Sequence, residues 1–495
     1  MVALVRKRAA PDSNGSAPKR STSSRAKRSK SRLSFATQKL SHLPDINKIP
    51  SEPNSKPLDI FVWGTGSMCE LGLGPAANTK EVKRPRLNTL LPKDKVGIVD
   101  FAVGGMHTLA LDKNNQIWSW GGNDSGVLGR DTNKEGAEKL KDIDASDSDD
   151  DDGDLNVLES TPAPVEGLPK DLTIVRVAAT DNLSACLMSN GDVYAWGTFR
   201  CNEGLLGFMD DILIQKTPMK IPEFENITQL AAGKDHILGL NTKGVVFAWG
   251  NGQQYQLGRR ILERTRLKSL VPREFGLKNI KAIGSGEFHA FAITTDERVL
   301  SWGLNQYGQC GIEIDIEDGA VVSKPMEIKE LAGKGIVSIT GGEHHSIALS
   351  KDGDVYTFGR YDMKEIGISL EELSKLDGAY KDAHGKIRSL PVPTKLTTLP
   401  KAKAIAAGSH HSLAVTNDGY VFSWGFADTY AVGLGNCEDD IEKPKRIDNT
   451  ATRDHDILII GAGGQFSVSG GIPLDSKDVD ARTDRIEEFE ESLEN

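Results

Sequence analysis

Cysteine is scarce. The five in 495 residues (Cys69, Cys186, Cys201, Cys310 and Cys437) show no metal-ligand spacing and no pairing pattern. That argues against a disulfide or zinc scaffold and for a reducing compartment. No apolar run reaches the roughly 18 residues of a membrane span, and no hydrophobic signal segment opens the sequence, so no membrane association is expected. Nucleophile motifs and phosphate-binding loops are missing too. Gly64-Thr-Gly-Ser looks glycine-rich, but strand pattern follows it where a phosphate loop would open a helix. Covalent catalysis and a resident cofactor or metal are therefore not expected. Aromatic residues make up only 6% of the chain, yet six of the seven tryptophans stand at one recurring place.

That place is an aromatic-glycine pair closing an alternating apolar run. It recurs at Trp63-Gly64, Trp120-Gly121, Trp196-Gly197, Trp249-Gly250, Trp302-Gly303, Phe358-Gly359 and Trp424-Gly425, with steps of 57, 76, 53, 53, 56 and 66 residues. A second glycine follows 8 residues on in six copies; in the third it is Gly207, 10 residues on. Upstream lies Gly-x-x-His-Ser/Thr or its variant, starting at Gly104, Thr180, Gly233, Gly286, Gly342, Gly408 and Gly463. The first six starts lie 17 residues before the glycine of a pair. Between the marks, alternating segments flank turns such as Asn114-Asn115, Asn190-Gly191 and Asp418-Gly419, which read as hairpins. Past the second glycine a proline recurs (Pro85, Pro162, Pro218, Pro272, Pro325, Pro393, Pro444), as suits an outer, edge strand.

About 55 residues and three to four short strands per repeat, seven times over, predict an all-β chain forming a seven-bladed β-propeller. Trp63-Gly64 lacks an upstream histidine motif, and Gly463 to Ser467 lacks a downstream pair. One blade should therefore be completed by both termini, hiding the edges of the ring.

Charge is divided unevenly. Residues 1–33 hold ten Lys/Arg against one acid, Asp12, so this stretch is +9 while the remainder carries −19 of the net −10. Residues 1–50 read as a disordered basic tail, with clusters at Arg6, Lys7 and Arg8, at Lys19 and Arg20, and at Arg25, Lys27 and Arg28. A solvated tail, a nuclear import address and a phosphate-binding arm all fit that composition. The propeller spans 57–470, with an acidic insert at 134–159 that includes Ser146 and Ser148. It reads as a solvated loop or as a site for phosphorylation or a basic partner. Residues 471–495 read as a frayed acidic tail, and Leu370 to Arg388 as a surface excursion.

In an antiparallel hairpin the start of one strand lies beside the end of the next, so the Gly-x-x-His starts and the loops after each pair share one rim. On that rim the third repeat is different. Its loop, Thr198 to Leu206, is two residues longer, and its hairpin starts Thr180-Asp181-Asn182-Leu183, with leucine in the histidine column. The next repeat supplies Asp235. A single departure of this kind marks a partner site, with a protruding loop between two acids. His107, His236, His289, His345 and His411 share one column, which argues for a packing or turn-bonding role. His344 and His410 are extra.

Gly-Gly-Met-His-Thr at Gly104, Gly-Gly-Asn-Asp at Gly121, Leu-Gly-Arg-Asp at Leu128 and Trp-Gly-Thr-Phe-Arg at Trp196 resemble the regulator-of-chromosome-condensation family, over about residues 57–470. The resemblance is closest to its yeast-type members, which exchange guanine nucleotide on the Ran GTPase. It implies a seven-bladed propeller with one face for Ran. The other side, with the basic tail, would meet histones and DNA in chromatin, and an importin would carry the protein into the nucleus. GDP, GTP and Mg²⁺ would belong to the GTPase. By resemblance, Thr198, Phe199, Arg200, Asn202, Glu203 and Gly204 form the wedge that presses on Ran, with Asp181, Asp235 and His345 on the same face. The two acids would compete there for basic groups that hold phosphate and Mg²⁺. Arg259, Arg260, Arg264 and Arg266 lie in a loop like the family's arginine loop for histones, though shorter; an exposed basic strand edge reads equally well. Two positions depart from the family: Ser67 replaces an aspartate and Phe466 a histidine. The rival reading is a propeller that only docks chromatin or other proteins.

Overall fold

The computed structural model describes residues 43–133, 155–209, 211–313 and 320–494. Among them stand seven antiparallel sheets arranged as blades, six of four strands and one of five, plus a separate two-stranded ribbon. Both termini build the first blade. Asp59–Thr65 and Glu81–Leu87 supply its outer strands, and His455–Ala462 with Phe466–Pro473 its inner ones. Asp59 pairs with Gly471 and Gly64 with Phe466, so the ring is closed by strand pairing rather than by a loop. Blades two to seven follow in chain order. The recurrent prolines lie on or just before the fourth strand of each blade, which is the outermost in all but the five-stranded blade, where Tyr380–Lys381 adds outside the strand of Pro393.

A relay between neighbouring blades explains the repeated motif. The column histidine sends Nε2 to a serine of the next blade: His107 to Ser184 (2.8 Å), His236 to Ser285 (3.0 Å), His289 to Ser346 (2.7 Å), His345 to Ser412 (2.8 Å) and His411 to Ser467 (2.9 Å). Several of these serines donate onward to a loop carbonyl that also accepts the indole N–H of the next blade. Val127 O, for example, takes both Ser184 Oγ and Trp196 Nε1, and Ala431 O takes both Ser467 Oγ and Trp63 Nε1. A polar relay in a dry interface works only when its members are paired, which is why all of them recur together. At the other two joints the histidine is gone. Leu183 and Ile237, both fully buried, replace the pair between blades three and four, and buried Phe466 stands between blades one and two.

The second glycine of each repeat has a steric reason. Gly433 adopts φ +69°, and a Cβ there would lie 2.8 Å from Trp63 Nε1 of the next blade. Left-handed strain adds to overpacking. Gly433→Ala should therefore cost about 2 kcal/mol in urea unfolding; a loss well under half of that would contradict this account.

Three boundaries are corrected. The basic tail was expected to run to residue 50, but residues 45–49 dock on the turns of the ring. Ile46 and Asn47 N–H bond Thr242 O, and Asn47 Nδ2 bonds Asn241 O and Ile280 O. The acidic insert ends earlier than 159, because Val157–Ser160 is a helix capped by Asn156 and Arg130 reaches Leu158 O at 2.6 Å. Residues 471–495 are not a frayed tail: the last strand runs to Pro473 and Ser476–Glu494 is helical. Arg482 and Ile486 are 2% exposed, and the Arg482 guanidinium lies 4.3 Å over the Tyr420 ring. The i, i+4 spacing of Arg482 and Ile486 carries the packing face, which the surrounding acids mask in the sequence. The expected excursion, Leu370 to Arg388, opens on a short helix, Leu370–Lys375, with a Ser369 capping box and continues into the edge strand Tyr380–Lys381. The basic clusters from Arg6 to Arg28 and the acidic run with Ser146 and Ser148 lie outside the described residues.

Candidate functional site

The second residue of the recurrent motif lies at the mouth of the central channel, where Gly105, Asp181, Lys234, Glu287, Ser409 and Gly464 line it. There Asp181, Lys234 and Glu287 stand side by side, joined by backbone bonds from Asp181 N–H to Lys234 O and from Lys234 N–H to Glu287 O, both 3.0 Å. Lys234 Nζ is 3.0 Å from Glu287 and 3.7 Å from Asp181. Burial opposes the lysine's charge, but Glu287 and Asp181 outweigh it and raise the ammonium's pKa. Burial in the mouth and the Glu287 carboxylate raise the Asp181 carboxyl well above the ordinary range, with Lys234 working against them. One lysine cannot serve two carboxylates equally, and Glu287 has the closer contact.

The extended loop of the third repeat is a ribbon of Phe199–Cys201 against Gly204–Gly207, with Asn202 and Glu203 at its turn. Among the described residues, the loop carbonyl that caps the indole in other blades is lost here, and Trp249 Nε1 has no acceptor. Three phenylalanines replace it, with Phe199, Phe208 and Phe224 meeting the Trp249 ring edge-on at 4.7, 5.3 and 6.1 Å. An apolar joint and an aromatic socket together carry the protrusion.

Asp235 stands under this ribbon. Its Oδ1 accepts Arg200 N–H at 2.8 Å and Asn182 Nδ2 at 3.4 Å, and the residue is 8% exposed. Burial raises its pKa, and the Arg200 N–H and Asn182 bonds oppose that. The expectation of a loop between two surface acids is thus modified: Asp235 holds the ribbon's base, and Asp181 lies in the channel mouth. Other members of the expected site are also relocated. Thr198 and Phe199 are fully buried and root the ribbon, Thr198 Oγ1 bonding Leu213 O at 2.7 Å. Arg200, Asn202, Glu203 and Leu205 are exposed, and Gly204 lies half-buried at the turn with φ +114° and open space around it. His345 does not reach the rim. It is fully buried in the Ser412 relay, because the column points between blades.

The extra histidines occupy the rim instead. Arg360 Nη2 donates to His410 Nδ1 at 2.8 Å and its Nε donates to buried Glu365 at 2.5 Å, while His344 stacks on Tyr307 at 4.9 Å. Burial and the adjacent guanidinium lower the His410 pKa, with Glu343 opposing them; because Arg360 donates to Nδ1, the ring N–H is on Nε2, 3.5 Å from Glu343. Of the supposed arginine loop, Arg259 turns inward to Ala248 O and Arg273 O, with burial and Arg273 lowering its pKa to about 10. Arg266 pairs with Glu203 and Glu263, whereas Arg260 and Arg264 are exposed. Ser67 is exposed on the first blade, the blade that also holds Phe466. Among the described residues no cluster of His, Cys, Asp and Glu has the geometry to hold a metal ion, and no helix is long and apolar enough to cross a membrane.

Residues 59–469 match the family model of the RCC1-like domain. The guanine nucleotide exchange factor SRM1 of Saccharomyces cerevisiae is 60% identical over 442 residues, covering 88% of this chain and 91% of that protein. The crystal structure of Prp20p from S. cerevisiae, described with its binding properties to Gsp1p and histones, is similar at a TM-score of 0.81. It shares 56% identity, covering 88% of this chain and 97% of that one. The crystal structure of Kap60 bound to yeast RCC1 (Prp20) has the same TM-score and 57% identity, covering 88% of this chain and 94% of the other.

Proposed function

This chain belongs to the RCC1-like domain family, and from that membership we propose that it is a guanine-nucleotide exchange factor for a Ran-type GTPase, without covalent chemistry of its own. The observation that carries the reading is the ribbon at Phe199–Gly207, which among the described residues only the third blade has and which stands on the rim beside the acidic channel mouth. A docking scaffold has no need of one distinct protrusion with a dedicated aromatic socket.

A GTPase holding nucleotide at picomolar affinity has about 16 kcal/mol of binding to surrender. An exchange factor lowers the barrier by binding the nucleotide-free form more tightly than the loaded one. Asn202 and Glu203 at the exposed turn of the ribbon, with the exposed Arg200 side chain nearer its base, would press on the phosphate-binding region, and the rim carboxylates would draw on basic groups freed from the phosphates. Nucleotide and Mg²⁺ belong to the partner. Every step is reversible, so the cellular GTP:GDP ratio sets direction. The relatives' association with histones and with Kap60, together with the basic clusters between Arg6 and Arg28, supports a nuclear, chromatin-bound factor. An importin would carry it in, and it would serve nucleocytoplasmic transport and mitosis.

The test is release of fluorescent GDP from a Ran-type GTPase, with a Ras-type GTPase as control. Acceleration for the Ran-type protein alone is expected. A well-folded wild type without effect would leave a chromatin-docking propeller as the better account.

A further inference from the structure

A two-stranded ribbon with a two-residue turn is marginally stable by itself. The Phe199–Gly207 ribbon does not stand by itself, because the fourth blade grips its tip. Gln253, in the loop after Trp249-Gly250, accepts Asn202 N–H on Oε1 at 3.0 Å and donates from Nε2 to both Glu203 carboxylate oxygens at 3.1 Å. Its own backbone N–H is fixed by Asn251 Oδ1 at 2.9 Å. From the other side Arg266 Nη1 reaches Glu203 Oε2 at 2.8 Å. Arg266 rides on the 3-10 segment Glu263–Leu270, whose last residue is 1% exposed and packs in one core with Phe199, Leu206 and Phe208. A Cβ on Gly207 would lie 3.2 Å from Leu270 Cδ1, so the segment lies directly behind the ribbon.

On the exchange reading, we infer that Gln253 and Arg266 are positioning residues: they hold the tip of the ribbon in the pose that meets the GTPase. Arg266 then serves the GTPase face rather than histones. Each contact is exposed, and a lone surface ion pair contributes little. Here three hydrogen bonds from one side chain and one ion pair converge on two residues at the free end of a lever. Their effect is on the turn's distribution of poses rather than on global stability. Pre-ordering of that kind is realised when the partner's bound state is strained.

The test uses the full chain with Gln253→Ala, Arg266→Ala, the double variant and the conservative Arg266→Lys, read by two methods. Hydrogen–deuterium exchange of the peptide spanning 199–207 should lose protection at the turn in the double variant while the blades keep theirs. GDP release from the Ran-type GTPase should slow about tenfold at saturating GTPase, with a smaller change in the concentration giving half-maximal rate. Arg266→Lys should retain most of both. Slower release with an unloosened ribbon would overturn the inference in favour of direct contact, and a loosened ribbon with unchanged release would overturn it outright. If wild type does not accelerate release, the exchange reading itself fails and takes this inference with it. That result differs from an active wild type matched by its variants, which sinks the positioning role alone.

Discussion

Asp235→Ala should slow GDP release from the Ran-type GTPase about a hundredfold, the scale on which a misplaced contact of about 1 Å acts in catalysis. The blade should stay folded, since the ribbon's aromatic socket does not involve this carboxylate. The reason is positional. Asp235 Oδ1 accepts the Arg200 N–H at the point where the ribbon leaves the rim, so removing it releases the lever at its base. Asp235→Asn separates that role from one of charge. An amide oxygen can still accept the Arg200 N–H, so anchoring predicts a loss of only a few-fold. If the carboxylate instead competes for basic groups of the GTPase, asparagine should be as damaging as alanine. Circular dichroism melts of both variants exclude unfolding as the cause.

His107→Leu should be less stable than wild type at pH 7.5, and the deficit should shrink and then reverse as pH falls. Burial lowers the pKa of His107 to about 3, and that of His236, His289 and His411 likewise. An unfolded histidine titrates near 6.5. Between those values the unfolded chain binds the proton and the native relay refuses it, so the stability carried by each histidine is complete above about pH 6.5. It drains as pH falls, at up to about 1.4 kcal/mol per pH unit. Removing one histidine therefore changes the difference between variant and wild type by about 2 kcal/mol from pH 6.5 to 4.5 in urea unfolding. The difference is the proper readout. Glu70 and Asp100, raised by burial to about 7 and about 6, take up protons in the folded state and run the other way in the whole-protein curve. Leucine fits the column already at Leu183, and Ser184 keeps its bond to Val127 O when His107 is gone. A pH-independent difference would mean that the buried imidazole titrates as if exposed.

The ring itself was legible because its information is local. Alternation, turn residues, the aromatic-glycine pair and the edge proline each act within one blade, and repetition made every blade a copy of the argument. The third repeat stood out for the same reason: an insertion of two residues against six siblings of standard loop length needs no tertiary knowledge, and in the fold it forms a separate two-stranded ribbon. Closure by both termini followed from two half-motifs at the ends.

What lay beyond reach depends on contacts between blades, which join residues about 50 or more positions apart. The histidine column looked alike from Asp235's neighbour to His345, but only the direction of the strand's pleat buries His345 against Ser412 while leaving His344 on the rim. Thr198 and Phe199 read as part of a protruding loop, but both are fully buried and Phe199 packs edge-on against Trp249 of the next blade. Arg266 read as one more cation in a basic loop until the fold set it against Glu203, 63 residues away. Repeat periodicity determined the architecture and the rim on which the candidate site is proposed, because each blade encodes its own strands. Which side chains reach that face, and which brace it from behind, was decided only when seven blades met edge to edge.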